Sequence, residues 1–157
     1  MRALYDTEST PAAKTVVRSV IFPPAACLFR ETSVPAGTAL IRAINQGLPW
    51  VEIEALQEIL GVPLERLGPM LGISNATLHR RKIEGRLGRE ESDRVIRFAR
   101  LMGRALEVLE SESNARQWLS SAQYGLGGEI PLQFAETEVG AREVEDLLTR
   151  IEHGVYS

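Results

Sequence analysis

The chain has 157 residues, 44% of them hydrophobic and 25% charged, with a formal net charge of −3. These values suit one globular domain of ordinary size, or two small ones sharing a core, and exclude a disordered chain. No apolar run reaches the roughly 20 residues that span a bilayer, no basic-then-apolar leader opens the chain, and Cys27 is the only cysteine, so no membrane segment, secretory signal or internal disulfide is expected.

Residues 1–35 show little periodicity and contain Pro11, Pro23, Pro24 and Pro35. Within them Thr15-Val-Val-Arg-Ser-Val-Ile-Phe22 reads as an extended segment stopped by Pro23-Pro24, part of an arm that packs on a neighbouring element. From Pro35 the pattern turns helical. Leu40, Ile41 and Ile44 recur at helical spacing up to Gly47, and Val51, Ile53, Leu56, Ile59 and Leu60 mark a second helix closed by Gly61. Pro63 starts a helix holding Leu64, Leu67, Met70 and Leu71, which Gly72 ends; Gly68 and Pro69 inside it predict that it is very short or kinked. Ser74 is an N-cap for a helix over Asn75 to Glu84, and Gly85 closes it.

The longest periodic run follows, from Arg89 to Glu110. Its stripe of Val95, Ile96, Ala99, Leu101, Met102, Ala105, Leu106 and Leu109 serves either a dimer interface or the chain's own core. Asn114 to Leu119 is a short helix, Gly125-Leu-Gly-Gly128 a loop, and Pro131 the start of another short helix. Glu138 to His153 is the last, amphipathic through Val139, Val144, Leu147, Leu148 and Ile151. There is no internal repeat and no convincing strand pattern. The expected fold is all-α: a helix-turn-helix domain followed by a small helical domain, with divisions at 1–47, 48–88 and 89–157.

The stretch from Leu64 to Gly85 has the plan of a helix-turn-helix DNA reader. Gly72 supplies a turn residue that accepts positive φ without a Cβ clash, and Ile73 and Leu78 are spaced to wedge the second helix onto the first. Around the Ser74 cap, the second helix then presents Asn75, Thr77, His79, Arg80, Arg81 and Lys82. Asn suits adenine and Arg suits guanine in two contacts each, while Lys and Thr suit phosphates. Charge agrees with this: residues 75–89 hold five basic side chains, Arg86 and Arg89 included, against Glu84 alone, whereas residues 129–157 hold Arg142 and Arg150 against seven carboxylates. A local basic patch attracts phosphates on an acidic protein because salt confines each charge to about 10 Å. The competing reading is a plain helical hairpin with a solvated basic face.

Nothing points to catalysis or a cofactor. His79 and His153 are 74 positions apart with no Cys, Asp or Glu at metal-ligand spacing, and Cys27 has no base beside it in sequence. Gly125-Leu-Gly-Gly128 lacks the following helix with Lys and Ser or Thr that a phosphate cradle needs, so it reads as a sharp turn between closely packed backbones. Trp50, Phe98, Trp118 and Phe134 read as core, with Trp118 equally suited to anchor an interface. His153 reads as a cation at a helix C-terminus.

The residues Leu71-Gly-Ile-Ser-Asn-Ala-Thr-Leu-His-Arg-Arg-Lys82, Gly85-Arg-Leu, Glu90-Glu-Ser-Asp-Arg, Arg116-Gln-Trp-Leu, Leu126-Gly-Gly-Glu-Ile-Pro-Leu and Gly140-Ala-Arg-Glu-Val through Ile151-Glu-His-Gly-Val-Tyr156 resemble the Xre/MbcA/ParS antitoxin family. The likeness runs from about Leu60 to Ser157, and its second half is the more specific part. It implies a bacterial cytoplasmic type II antitoxin encoded beside a RES-domain toxin that depletes NAD. Such antitoxins dimerise, bind their own promoter, and cover the toxin's active site with the C-terminal region. Carried onto this chain, the resemblance implies that Ser74, Asn75, Thr77, His79, Arg80, Arg81 and Lys82 meet operator DNA. It implies likewise that Arg142, Glu145, Arg150, His153, Val155, Tyr156 and Ser157 meet toxin. A stand-alone helix-turn-helix regulator with a dimerising or ligand-sensing C-terminal domain is the alternative.

Overall fold

Helix α6, Arg89–Leu109, is the axis on which the rest of the molecule packs. The computed structural model describes residues 15–22 and 37–155. Before α6 come α1 (Val16–Ile21), α2 (Gly37–Gln46), α3 (Val51–Leu60), α4 (Leu64–Met70) and α5 (Asn75–Glu84). After it come α7 (Glu112–Ser120), a single 3₁₀ turn (Tyr124–Leu126), α8 (Pro131–Phe134) and α9 (Glu138–Glu152). Among the described residues there is no sheet; isolated bridges join Pro49 to Arg86 and Gln123 to Glu129. The first of these ties the entrance of the helix-turn-helix unit to its exit, with Leu87 N–H donating to Leu48 O at 2.8 Å and Trp50 N–H to Gly85 O at 2.9 Å.

The apolar stripe of α6 is spent inside the chain. Val95, Ile96, Phe98, Ala99, Leu101, Met102 and Ala105 are each 2% exposed or less, and α1, α2, α3, α7 and α9 all lie against this helix. Five helices cover this part of the stripe, which belongs to the chain's own core, while Leu106 and Leu109 at its end are only partly buried against it. Trp50 and Phe98 are buried as expected, Trp118 and Phe134 half-buried.

Local signals place most helix ends. Ser74 Oγ accepts Thr77 N–H at 3.2 Å, so α5 starts at Asn75, and Gly85 closes it in the left-handed region. Gly88 starts α6 without a side chain of its own because Glu91 Oε2 reaches back to accept the Gly88 N–H at 2.6 Å. Ser92, fully buried, takes the Leu48 N–H on its hydroxyl oxygen at 2.8 Å and donates to Gly88 O.

The reading of Thr15 to Phe22 as extended is corrected: Val16–Ile21 is helical. Its β-branched residues favour strands, but tertiary contacts override that preference. Thr15 caps the helix, Glu52 takes the Val16 and Val17 N–H groups at 2.8 and 2.9 Å, and Val17 and Ile21 are buried on α6 and α3. Most of the expected arm, with Cys27, Pro11, Pro23, Pro24 and Pro35, lies outside the described residues, as do Tyr156 and Ser157.

Candidate nucleic-acid and partner interfaces

The turn between α4 and α5 is built from the residues that the spacing singled out. Gly72 sits at φ +67°, and Arg94 reaches over it from α6 to donate to Leu71 O at 3.0 Å, neutralising the carbonyl end of α4. Leu67, Leu71, Ile73 and Leu78 are buried, and Ile73 N–H donates back to Gly68 O at 2.8 Å. Gly68 is a contact point between the two helices, not a defect: a Cβ there would fall 2.5 Å from Leu78 Cδ1. Pro69 is accommodated because α4 is only seven residues long and ends one residue later.

On α5 the predicted residues divide into scaffold and free surface. Ser74 and Thr77 are bound to each other through their hydroxyls at 3.0 Å as well as through the cap. Arg81 is committed to two carboxylates: its Nε lies 2.9 and 3.1 Å from the oxygens of Glu91, and Nη1 donates to Glu84 at 2.9 Å. The hydrogen bonds it donates to Glu84 and Glu91 raise its pKa above the usual arginine value, so it stays charged, but its charge is answered within the protein. Arg80 is different. Its side chain is 60% exposed and comes no closer to Glu84 than 3.8 Å. Asn75, His79 and Lys82 are also exposed and share one shallow surface with Trp50, Leu64 and Glu65.

Two residues escaped the sequence reading. Ala76 and Ile83 are exposed on the same helix as Arg80, Ile83 at 74%. At about 100° per residue they share its outward face, a signal that a helical projection of residues 75–84 carries. Arg86, counted in the basic patch and exposed, is tied to the end of α2, donating to Gln46 O at 3.2 Å and Gly47 O at 2.9 Å. Arg89 remains exposed.

The C-terminal residues separate onto two flanks of α9, whose buried edge is Ala141, Val144 and Leu148. Arg142 and Glu145 face α2 and α6, lining a cleft with Arg97 and Arg100, and Arg142 pairs with Glu138 at 3.3 Å. Arg150 and Val155 lie on the opposite flank with Tyr124, Leu147 and Ile151. His153 is exposed, 3.9 Å from Glu152. Arg104 on α6 locks α9 in place through Glu152 at 2.5 Å and Thr149 at 3.3 Å, and Arg97 does the same at Glu138, 3.1 Å. Gly125 to Gly128 form the expected turn, with Gln123 N–H donating to Glu129 O at 3.0 Å.

Among the described residues no group of His, Cys, Asp and Glu is arranged to hold a metal, and no helix is long and apolar enough to cross a membrane. Comparison with known families gives two matches: an antitoxin Xre-like helix-turn-helix domain over residues 39–100, and the antitoxin Xre/MbcA/ParS C-terminal toxin-binding domain over residues 104–154. Among curated proteins, Antitoxin Xre of Yersinia enterocolitica is 36% identical over 161 aligned positions covering 100% of both chains. Antitoxin Xre of Photorhabdus laumondii is 31% identical over 134 positions, covering 83% of this chain and 90% of the relative. Antitoxin Xre of Pseudomonas putida is 34% identical over 65 positions, 41% of each chain.

Proposed function

Because this chain belongs to the Xre antitoxin family, we propose that it neutralises an NAD-degrading RES-domain toxin and represses the operon encoding both proteins. It acts by binding and not by catalysis. The reading rests above all on the contrast between the middle of the chain and its C-terminal helix. The outward face of α5 carries Asn75, His79, Arg80 and Lys82 in the open, while α9 and its approach display Glu136, Glu138, Glu143, Asp146 and Glu152.

On DNA, α5 enters the major groove with its capped N-terminus leading. Asn75 faces an adenine and Arg80 a guanine, each bidentate pair contributing about 1–3 kcal/mol of discrimination. His79, Lys82 and Arg89 meet phosphates, and Ser74, Thr77 and Arg81 hold the helix in shape. A homodimer would present two such helices to half-sites about 34–36 Å apart. The buried face of α6, from Val95 to Ala105, is closed to such a dimer.

On the toxin side, Arg142, Glu145, Arg150, His153, Val155, Tyr156 and Ser157 form the contact region, and the tail after α9 covers the active site. The carboxylates displayed around these residues, Glu143, Asp146 and Glu152 among them, suit a pocket that binds an anionic dinucleotide, since complementary charge speeds encounter and fixes orientation.

Co-expression tests both halves. The full chain should restore growth of cells making the RES protein, co-purify with it, and retard its own promoter fragment in a gel shift. Full neutralisation by a chain ending at Thr137 would overturn the occlusion model. A chain that binds its promoter but ignores the RES protein would favour the stand-alone regulator.

A further inference from the structure

A groove of about 580 Å³ runs between the 3₁₀ turn and the end of α9, lined by Gln123, Tyr124, Gly125, Leu147, Arg150, Ile151 and Val155. Its walls are mostly apolar. The turn that forms one side is firmly built: Leu126 is buried, Gln123 Nε2 donates to Trp118 O at 2.9 Å, and Gly128 N–H donates to Gln123 O at 2.9 Å. On that rigid turn Tyr124 stands out completely, at 101% exposure, the most exposed large apolar-bodied side chain among the described residues. The opposite side closes where Gly154 and Val155 N–H groups fold back onto Ile151 O and Arg150 O, at 3.1 and 2.9 Å.

Arg150 is the one cation lining this groove. Its Nε is buried and has no hydrogen-bond partner among the described residues, and it forms no ion pair there. That is notable in a segment with seven carboxylates, where the other arginine, Arg142, is paired with Glu138. Asp146 stands one helical turn before Arg150, the spacing at which such pairs form on a helix, yet Arg150 does not engage it. A guanidinium that lines an open groove and has no ion pair among the described residues can meet a carboxylate from outside.

An aromatic residue presented on a rigid support beside an arginine is the composition of an interface anchor, and pre-ordering lowers the entropy lost on binding. We infer that this groove seats an amphipathic segment of the toxin, which lays an aliphatic or aromatic side chain between Tyr124 and the Leu147–Ile151 wall and sets a carboxylate on Arg150. Here the toxin enters the antitoxin, the reverse of the tail entering the toxin. The inference rests on the proposed antitoxin function and on the match of residues 104–154 to a toxin-binding domain.

Calorimetric titration of the full chain with the RES protein tests it. Tyr124→Ala and Arg150→Glu should each weaken binding at least tenfold while leaving promoter binding unchanged, and Tyr124→Ala should also leave the melting temperature unchanged. Val139→Ala, an exposed apolar residue of α9 outside the groove, should bind as wild type does. Replacing the contacting toxin carboxylate by lysine should restore binding to Arg150→Glu. Wild-type affinity in both groove variants, with binding lost on removing residues 156–157, would overturn the groove and leave the antitoxin reading standing. Failure of the wild-type chain to bind would overturn that reading and the groove with it.

Discussion

Gly68 and Leu78 meet at the crossing of α4 and α5, and nothing larger than hydrogen fits between them: a Cβ on Gly68 would also lie 3.2 Å from the Ile73 carbonyl oxygen. The orientation of the candidate recognition helix is set there, from below. Gly68→Ala should therefore cost stability although alanine is the better helix former. Overpacking of this kind costs about 1–3 kcal/mol, to be read as a lowered midpoint in urea denaturation. An unchanged midpoint would mean that the two helices part without penalty.

Arg80 and Arg81 are adjacent but should fail in different assays. Arg80→Ala should reduce promoter affinity, and Lys82→Ala should flatten the dependence of log affinity on log salt by about 0.9 for its lost phosphate contact. Neither should alter thermal stability. Arg81→Ala should lower the melting temperature by unpinning α5 from Glu91, and Arg81→Lys should not fully restore it, since one ammonium replaces the two separate nitrogens that hold Glu91 and Glu84. Equal effects of the two alanine variants on stability would contradict this division.

Glu52 holds α1 against the body through the Val16 and Val17 N–H groups, and it is 3% exposed. Its replacement by alanine leaves both donors without their buried acceptor, at about 1–3 kcal/mol for each group that stays buried. Hydrogen exchange should show faster exchange at the Val16 and Val17 amides, with α5 protected as before. Glu52→Gln should be intermediate, keeping one acceptor oxygen.

Acid should loosen the attachment of α9. The hydrogen bond from Arg104 holds the Glu152 pKa below its usual value, so this contact stabilises the fold fully above the unfolded carboxylate's pKa. The stabilisation fades as pH falls through the lower, folded value. Glu152→Gln should reduce stability at neutral pH and flatten that acid limb, measured by thermal melts between about pH 7 and pH 3. A limb as steep as the wild type's would assign it to other carboxylates.

Read alone, the amino-acid order determined the all-α class, the helix over Asn75 to Glu84, the Gly72 turn, and the contrast between a basic middle and an acidic end. These are local matters: a cap, a stop and a helical period act within a few residues of one another. Folding alone decided that Val16–Ile21 is a helix, that the α6 stripe is core, and that Arg81 and Arg86 are occupied within the chain. It also set Tyr124 beside Arg150, and moved Arg142 and Glu145 to the other flank of α9. Each of these depends on partners from ten to about a hundred residues away, and charge or hydrophobicity along a chain does not say which distant side chain will answer it.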